Sequence, residues 1–438
     1  MTDDASSALL TDRYELTMLQ GALQSGAANR RTVFEMFARR LPENRGYGVV
    51  AGTGRFLDAL ERFRFDSAAL DYLADAGGLD DATLQWLADY RFSGDVWGYG
   101  EGDCYFPGSP ILVVEGTFAE SVLLETIALS IYNHDSAIAS AASRMTLAAG
   151  GRPMIEMGSR RTHEMSAVAA ARAAYLTGFA STSNLEAGRR FGIPTAGTSA
   201  HAFVLVHDTE REAFEAQLRA LGGDTTLLVD TFDVEEAVRT AVELGGSRLG
   251  GVRVDSGDLS KTAFRVREQL DGLGAADTRV IVTGDLDEHA IQALAVAPAD
   301  GYGVGTALVT GSGAPTASLV YKLVARSTGA SGGGELMPVA KRSVGKPSRG
   351  GRKWASRRLD AAGTADAEFV HEKEPRQEPR LRPLLRRLVA GGEVVGREPL
   401  EEARERHTRA IAELPETVHR MHRAEPVIPT RFEDPAQV

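Results

Sequence analysis

Between residues 152 and 305 the chain repeats one device: a short apolar run that ends on Asp, Glu, Ser, Thr or Gly, followed by a stretch with helical spacing. The apolar runs cover 153–158, 178–183, 193–198, 226–230, 251–255, 279–285 and 301–305, and the intervening helices are predicted at 164–176, 184–191, 234–244, 259–270 and 289–294. Short, nearly continuous apolar runs suit parallel strands buried on both faces, and their alternation with helices predicts βα units. Polar residues and glycines at the carboxyl ends of such strands match an α/β barrel, whose active site lies at that end. A doubly wound open sheet is the structural rival. The first strand–helix junctions carry no Gly-x-Gly-x-x-Gly spacing of the dinucleotide type, which counts against it.

At 438 residues the chain is longer than one core usually supports, so several domains are expected. The reading divides it into an N-terminal α+β domain with a connecting helix at 1–135, an α/β barrel domain with the active site at 136–330, and a basic loop with a C-terminal region at 331–438. In the first part, 9–19 has helical spacing with Asp12 placed to cap it, and 32–37 reads as a strand followed by Arg39 and Arg40. The later parts of 46–60 and 80–90 read as helices, 96–102 and 111–116 as strands of a small sheet, and the alanine-rich 119–149 as the connecting helix. Beyond Ser331, the cations Lys341, Arg342, Lys346, Arg349, Arg352, Lys353, Arg357 and Arg358 read as a flexible loop with a solvated face. A small appended domain with a helix at 400–414 follows.

Sixty acidic residues against 49 basic ones leave a formal charge of -11, which offers no broad field for nucleic acid or an anionic membrane. The single cysteine, Cys104, rules out an intrachain disulfide or a thiolate zinc cluster and reads as a core filler. The first seven residues lack the basic region and apolar run of a secretory signal, and no later stretch has membrane-spanning length. A cytoplasmic location is therefore expected.

Several predicted strand ends bring together groups suited to a sugar phosphate. Asp230, Asp255 and Asp285 can hold ribose hydroxyls or magnesium, Arg253 can grip phosphate, and Gly284, Gly303, Gly305 and Thr306 can wrap an anion with amides and a hydroxyl. Taken singly, the aspartates read equally as helix caps and the glycines as turn residues; their repetition on successive units favours the site. His201 stands just past a predicted strand, where it can be a satisfied core group, a base or a nucleophile. Arg160 follows Gly158-Ser159 at another strand end and suits either a planar carboxylate or a plain surface. Tyr14 can be a core aromatic or a stacking surface for a heteroaromatic ligand. His134, His163 and His207 have no partner at metal-site spacing.

The strings 10–14 (LTDRY), 34–40 (FEMFARR), 156–161 (EMGSRR), 197–201 (GTSAH), 229–232 (VDTF), 253–258 (RVDSGD) and 303–306 (GVGT) stand in the order found in nicotinate phosphoribosyltransferases, and the chain resembles that family from Leu10 to about Arg358. The resemblance implies an irregular (β/α) barrel of the type II phosphoribosyltransferase kind, with an N-terminal α+β domain and a small C-terminal region. It implies a cytoplasmic homodimer with shared active sites, using nicotinate and 5-phosphoribosyl 1-diphosphate with Mg2+ and with ATP as co-substrate. His201 would be phosphorylated by ATP. Tyr14, from the neighbouring subunit, and Met157 would flank the base, and Arg160 would face its carboxylate. Asp230, Arg253 and Asp255 would hold the ribose and phosphates, with Ser183 and Thr198 also at the substrate and Gly284, Asp285, Gly305 and Thr306 at the phosphate end. Many relatives carry phenylalanine where Met157 stands, which implies a looser grip on the base. Arg39, Arg40 and some cations between Lys341 and Arg358 are expected to clamp diphosphate. The alternatives are a nicotinamide or quinolinate phosphoribosyltransferase, a sugar-phosphate barrel lyase or aldolase, or a non-enzymatic binding protein. The lyase needs a base or Schiff-base lysine at a strand end, and none of the predicted strands ends in lysine.

Overall fold

The structure is a computed structural model that describes residues 5–329, 332–341, 349–376, 378–422 and 425–432. The chain forms two compact units, Met1–Ala137 with Thr316–Val438, and Ile138–Pro315. The boundary falls within the long helix Glu125–Ala149.

In the unit Ile138–Pro315, the described residues form one parallel sheet from Met154–Glu156, Ser181–Thr182, Thr226–Leu228, Gly251–Val254, Arg279–Val282 and Gly301–Val304. Its order is circular. The last strand, Gly301–Val304, pairs with the first, Met154–Glu156, and every other neighbouring pair is consecutive in the chain. This is the expected irregular barrel, built as a curled half-barrel. Val252, Val254, Val280, Val282 and Val304 are completely buried, as strands covered on both faces require. The strand expected at 193–198 is corrected to a single parallel bridge between Thr195 and Thr182. Pro194 has no N–H for a ladder and Gly197 disfavours extended order, so pairing does not propagate. Among the described residues no ladder joins this segment to Thr226–Leu228.

The other unit is built on an antiparallel sheet ordered Leu336–Pro338, Leu319–Ser327, Arg31–Ala38, Leu112–Thr117, Asp95–Tyr99, Leu385–Ala390 and Glu393–Val394. The segment expected as a separate region at 331–438 is thus part of the N-terminal unit, because its strand Leu385–Ala390 pairs directly with Asp95–Tyr99. The predicted C-terminal helix is present at Leu400–Ala412. At the amino end a 3-10 turn, Ala8–Leu10, precedes the helix Arg13–Ser25. Asp12 holds the N-cap position without using its side chain; instead the Glu15 carboxylate accepts the Thr126 N–H at 2.9 Å and the hydroxyls of Thr11 and Thr126.

Seven of the eight residues of Arg31–Ala38 are buried, and Phe34 stacks on Tyr321 with ring centroids 4.9 Å apart. Glu35 lies on this strand, so its charge is costly unless matched. Lys353 supplies the match: its Nζ lies 2.8 Å from Glu35 Oε2 and also donates to the carbonyls of Arg349 and Gly351. The solvated basic face expected here is therefore corrected for Arg352, Lys353 and Arg357, while Arg349 and Arg358 remain open to solvent. Arg352 pairs with Glu115, the completely buried Arg357 with Glu368, and Arg358 with Asp366, while the Arg349 guanidinium covers the Phe432 ring. Arg342 and Lys346 lie outside the described residues. Removing one member of a buried pair strands the other charge, so Lys353→Met should lower stability by about 3–5 kcal/mol in denaturant unfolding. The double variant Glu35→Leu with Lys353→Met should recover most of that loss; an equal loss in the double variant would contradict the charge argument.

Candidate active site

Three strand ends of the curled sheet, and the segment carrying Thr198, are tied together by side chains. Asp230, two residues past Thr226–Leu228, accepts the Asp255 N–H at 3.0 Å and the Ser256 hydroxyl at 2.6 Å through Oδ2. Its Oδ1 is buried and has no hydrogen-bond partner among the described residues. Asp255 follows Gly251–Val254 and accepts the hydroxyl of Thr283 from the next strand end. Gly284 then turns with φ of 133°, a conformation open to glycine, and a Cβ there would stand 3.0 Å from the Asp255 carbonyl oxygen.

Arg253 is the cation of this cluster. Its Nη1 donates to Thr198 Oγ1 at 2.7 Å, while its Nε is buried and unpaired among the described residues. Burial holds the guanidinium below its usual range; the carboxylates of Asp255 and Asp230 oppose that shift and the nearby charge of Arg160 adds to it. An anion placed here would relieve both the unsatisfied donor and the repulsion between the two arginines.

Met157 and Arg160 occupy the loop after Met154–Glu156. Met157 runs beside Gly303, where a Cβ would lie 2.7 Å from Sδ and 2.5 Å from Thr283 Cγ2, so the missing side chain at 303 is what lets Met157 cross that strand. Gly305 is next to the Met157 carbonyl, and Thr306 is exposed at the start of the short helix Thr306–Val309. Arg160, Ser183 and Asp285 are exposed, and the Ser183 N–H donates to the Glu156 carbonyl at 2.8 Å. His201 begins the helix His201–Leu205, and its Nδ1 is 3.1 Å from Thr231 Oγ1.

The predicted residues of the barrel unit thus gather at the carboxyl ends of its strands. Sequence reasoning passed over Thr231, Ser256 and Thr283, which bind His201, Asp230 and Asp255. Each stands within or beside a motif already singled out, and a hydroxyl adjacent to such a residue was the available signal. Tyr14, Arg39 and Arg40 belong to the other unit. Tyr14 is 45% exposed, and partial burial followed by the charges of Glu125 and Glu15 pushes its phenol up to about 12. Arg39 and Arg40 are exposed directly after Arg31–Ala38. Of the cations between Lys341 and Arg358, some of them expected to clamp diphosphate, Lys353 and Arg357 are buried against carboxylates, Arg352 pairs with Glu115, and Arg358 pairs with Asp366 at the surface. Cys104 is buried, as a filler should be, and burial pushes its thiol up to about 12. Among the described residues no three His, Cys, Asp or Glu side chains gather as a metal site, and no helix is long and apolar enough to cross a membrane.

Comparison with known proteins gives a consistent result. The model of the nicotinate phosphoribosyltransferase (NAPRTase) N-terminal domain matches residues 9–133, and that of the nicotinate phosphoribosyltransferase (NAPRTase) family matches residues 153–372. The chain is 56% identical over 436 residues to nicotinate phosphoribosyltransferase pncB1 of Mycobacterium tuberculosis, covering 97% of this chain and 94% of the relative. It is 39% identical to the nicotinate phosphoribosyltransferase of Bacillus subtilis, over 74% of this chain and 67% of that one. The crystal structure of human nicotinic acid phosphoribosyltransferase superimposes with a TM-score of 0.82 at 26% identity, covering 97% of both chains. These matches and the strand-end cluster agree, and the chain belongs to the nicotinate phosphoribosyltransferase family.

Proposed function

We propose that this enzyme joins nicotinate to 5-phosphoribosyl 1-diphosphate, releasing nicotinate mononucleotide and diphosphate for NAD salvage, and hydrolyses ATP to ADP and phosphate in the same cycle. The observation that carries this reading is the half-buried Arg253, whose buried Nε has no partner among the described residues, with two carboxylates beside it at the strand ends. A phosphorylated sugar needs both kinds of group: a cation for phosphate and carboxylate acceptors for ribose hydroxyls.

In the reaction the pyridine nitrogen lone pair forms the new bond to the anomeric carbon as the bond to diphosphate breaks. The ribose becomes oxocarbenium-like and the leaving group gathers negative charge. Asp230 and Asp255 hold the ribose and face its developing positive charge, while Arg253 and the glycine-rich ends at Gly284 and Gly305 receive phosphate. Met157 covers one face of the base, and Arg160 offers its fork of donors to the carboxylate. No base is required, because the nitrogen lone pair is free, so alignment and charge placement dominate. Magnesium fits this donor set: the unpartnered Asp230 Oδ1 and the Asp255 carboxylate can hold an ion whose remaining ligands are substrate oxygens and water. Bound there, it would neutralise the departing diphosphate.

His201 is the proposed phosphate acceptor. With Nδ1–H donated to Thr231, the lone pair on Nε2 is left to attack the γ-phosphorus of ATP, and ADP departs. The added charge then acts on the loops that hold the sugar diphosphate, and water later releases phosphate from the histidine. Tyr14 completes the base site from the partner subunit of a cytoplasmic homodimer, and the chain uses neither nucleic acid nor a membrane. Arg39 and Arg40 are the remaining diphosphate clamps.

Arg160→Ala should raise the KM for nicotinate by more than about tenfold, beyond the ~1 kcal/mol of an exposed pair, while leaving that for 5-phosphoribosyl 1-diphosphate nearly unchanged. Equal weakening of both substrates in steady-state assays would refute its role. With γ-labelled ATP, folded His201→Asn should lose acid-labile protein phosphate and ATP hydrolysis yet retain slow, ATP-independent synthesis. Undiminished labelling of that variant would place the phosphate elsewhere.

A further inference from the structure

We propose that Ser159 and Asn184 are positioning residues that set the preference for a carboxylated base by fixing the turn that carries Arg160. The inference rests on the reading of Arg160 as the partner of the nicotinate carboxylate. The turn is closed by the Arg161 N–H on the Gly158 carbonyl at 2.8 Å, which puts Ser159 and Arg160 at its two central positions. Arg160 itself is exposed, and bidentate recognition of a planar carboxylate depends on the direction in which the guanidinium leaves the backbone. Whatever orients this turn therefore acts on the base.

One side of the turn is wedged. The Gly158 N–H donates to Glu156 Oε1 at 2.5 Å, and a Cβ at 158 would stand 2.2 Å from Val309 Cγ1 and 3.1 Å from the Gly305 carbonyl oxygen. The other side hangs on one side-chain bond, from Asn184 Nδ2 to Ser159 Oγ at 3.0 Å. Asn184 is itself held on both sides. Its Oδ1 caps the helix Leu185–Phe191 by accepting the Ala187 N–H at 2.9 Å, and its own N–H donates to Thr182 Oγ1 at 3.0 Å. Because the oxygen is committed to the cap, the amide nitrogen must face Ser159. The Thr182 hydroxyl donates in turn to Glu156 Oε2 at 2.5 Å, closing a circuit from Glu156 through Thr182, Asn184 and Ser159 back to the turn. The completely buried Glu156 gives this circuit a rigid base at the end of a barrel strand.

Steady-state kinetics with nicotinate, nicotinamide and 5-phosphoribosyl 1-diphosphate tests this in Ser159→Ala, Ser159→Thr, Asn184→Ser and Arg160→Ala. Ser159→Ala should raise the KM for nicotinate about three- to tenfold and lower selectivity over nicotinamide by a similar factor, the worth of one hydrogen bond. The KM for 5-phosphoribosyl 1-diphosphate and kcat should stay within about twofold. Ser159→Thr keeps the hydroxyl and should restore the wild-type values. Asn184→Ser keeps a helix cap while shortening the side chain, and should reproduce Ser159→Ala with no further loss in the double variant. An unchanged nicotinate KM in both Ser159→Ala and Asn184→Ser, or equal rises for both substrates, overturns the proposal. If Arg160→Ala is selective for nicotinate while those two variants are silent, only the positioning claim fails. If Arg160→Ala is unselective, the assignment beneath it fails as well.

Discussion

The parallel wall of the barrel unit stops short of closure between Thr195 and Thr226–Leu228, so backbone ladders alone do not hold all of its strand ends in place. Side chains take over part of that task. Asp230 grips Asp255 and Ser256, Asp255 grips Thr283, and Arg253 grips Thr198. The residues that join the rim are the same ones suited to bind a sugar phosphate. Polar atoms such as Asp230 Oδ1 and Arg253 Nε consequently remain buried without a partner among the described residues, an arrangement that is costly in the free protein and that a ligand supplying the missing donors and anions would relieve.

Two sets of cations stand in different electrostatic settings. Arg352, Lys353 and Arg357 sit against carboxylates inside the first unit, where they neutralise charges that strands such as Arg31–Ala38 carry into the core. Arg253 instead is held below its usual range by burial, which the attraction of Asp255 and Asp230 opposes and the smaller repulsion from Arg160 assists. Its buried Nε, unpaired among the described residues, is what marks it as a candidate anion-binding group.

Much of the barrel was legible because parallel strands buried on both faces leave continuous apolar runs, and because polar residues cluster where those runs end. The segment at 193–198 misled for the same reason: its composition is apolar, but Pro194 interrupts the ladder that composition suggests. The C-terminal cations were unreadable for a different reason. Lys353 finds Glu35 across 318 residues of sequence, and no local pattern announces a partner so distant. The motif strings located Asp230, Arg253, Asp255 and His201, whereas Thr231, Ser256 and Thr283 emerged only from the folded geometry. Asn184 was legible as a helix start, but its bond to Ser159 depends on two loops from separate βα units.

The central claim is that these strand ends join nicotinate to a phosphorylated ribose. The most direct measurement is mass spectrometry of the products formed by the purified enzyme from 5-phosphoribosyl 1-diphosphate, Mg2+ and ATP, offered separately with nicotinate, nicotinamide and quinolinate. Nicotinate mononucleotide and diphosphate should accumulate with nicotinate far faster than any mononucleotide does with the other two bases. Turnover of nicotinamide or quinolinate with none of nicotinate would contradict the account.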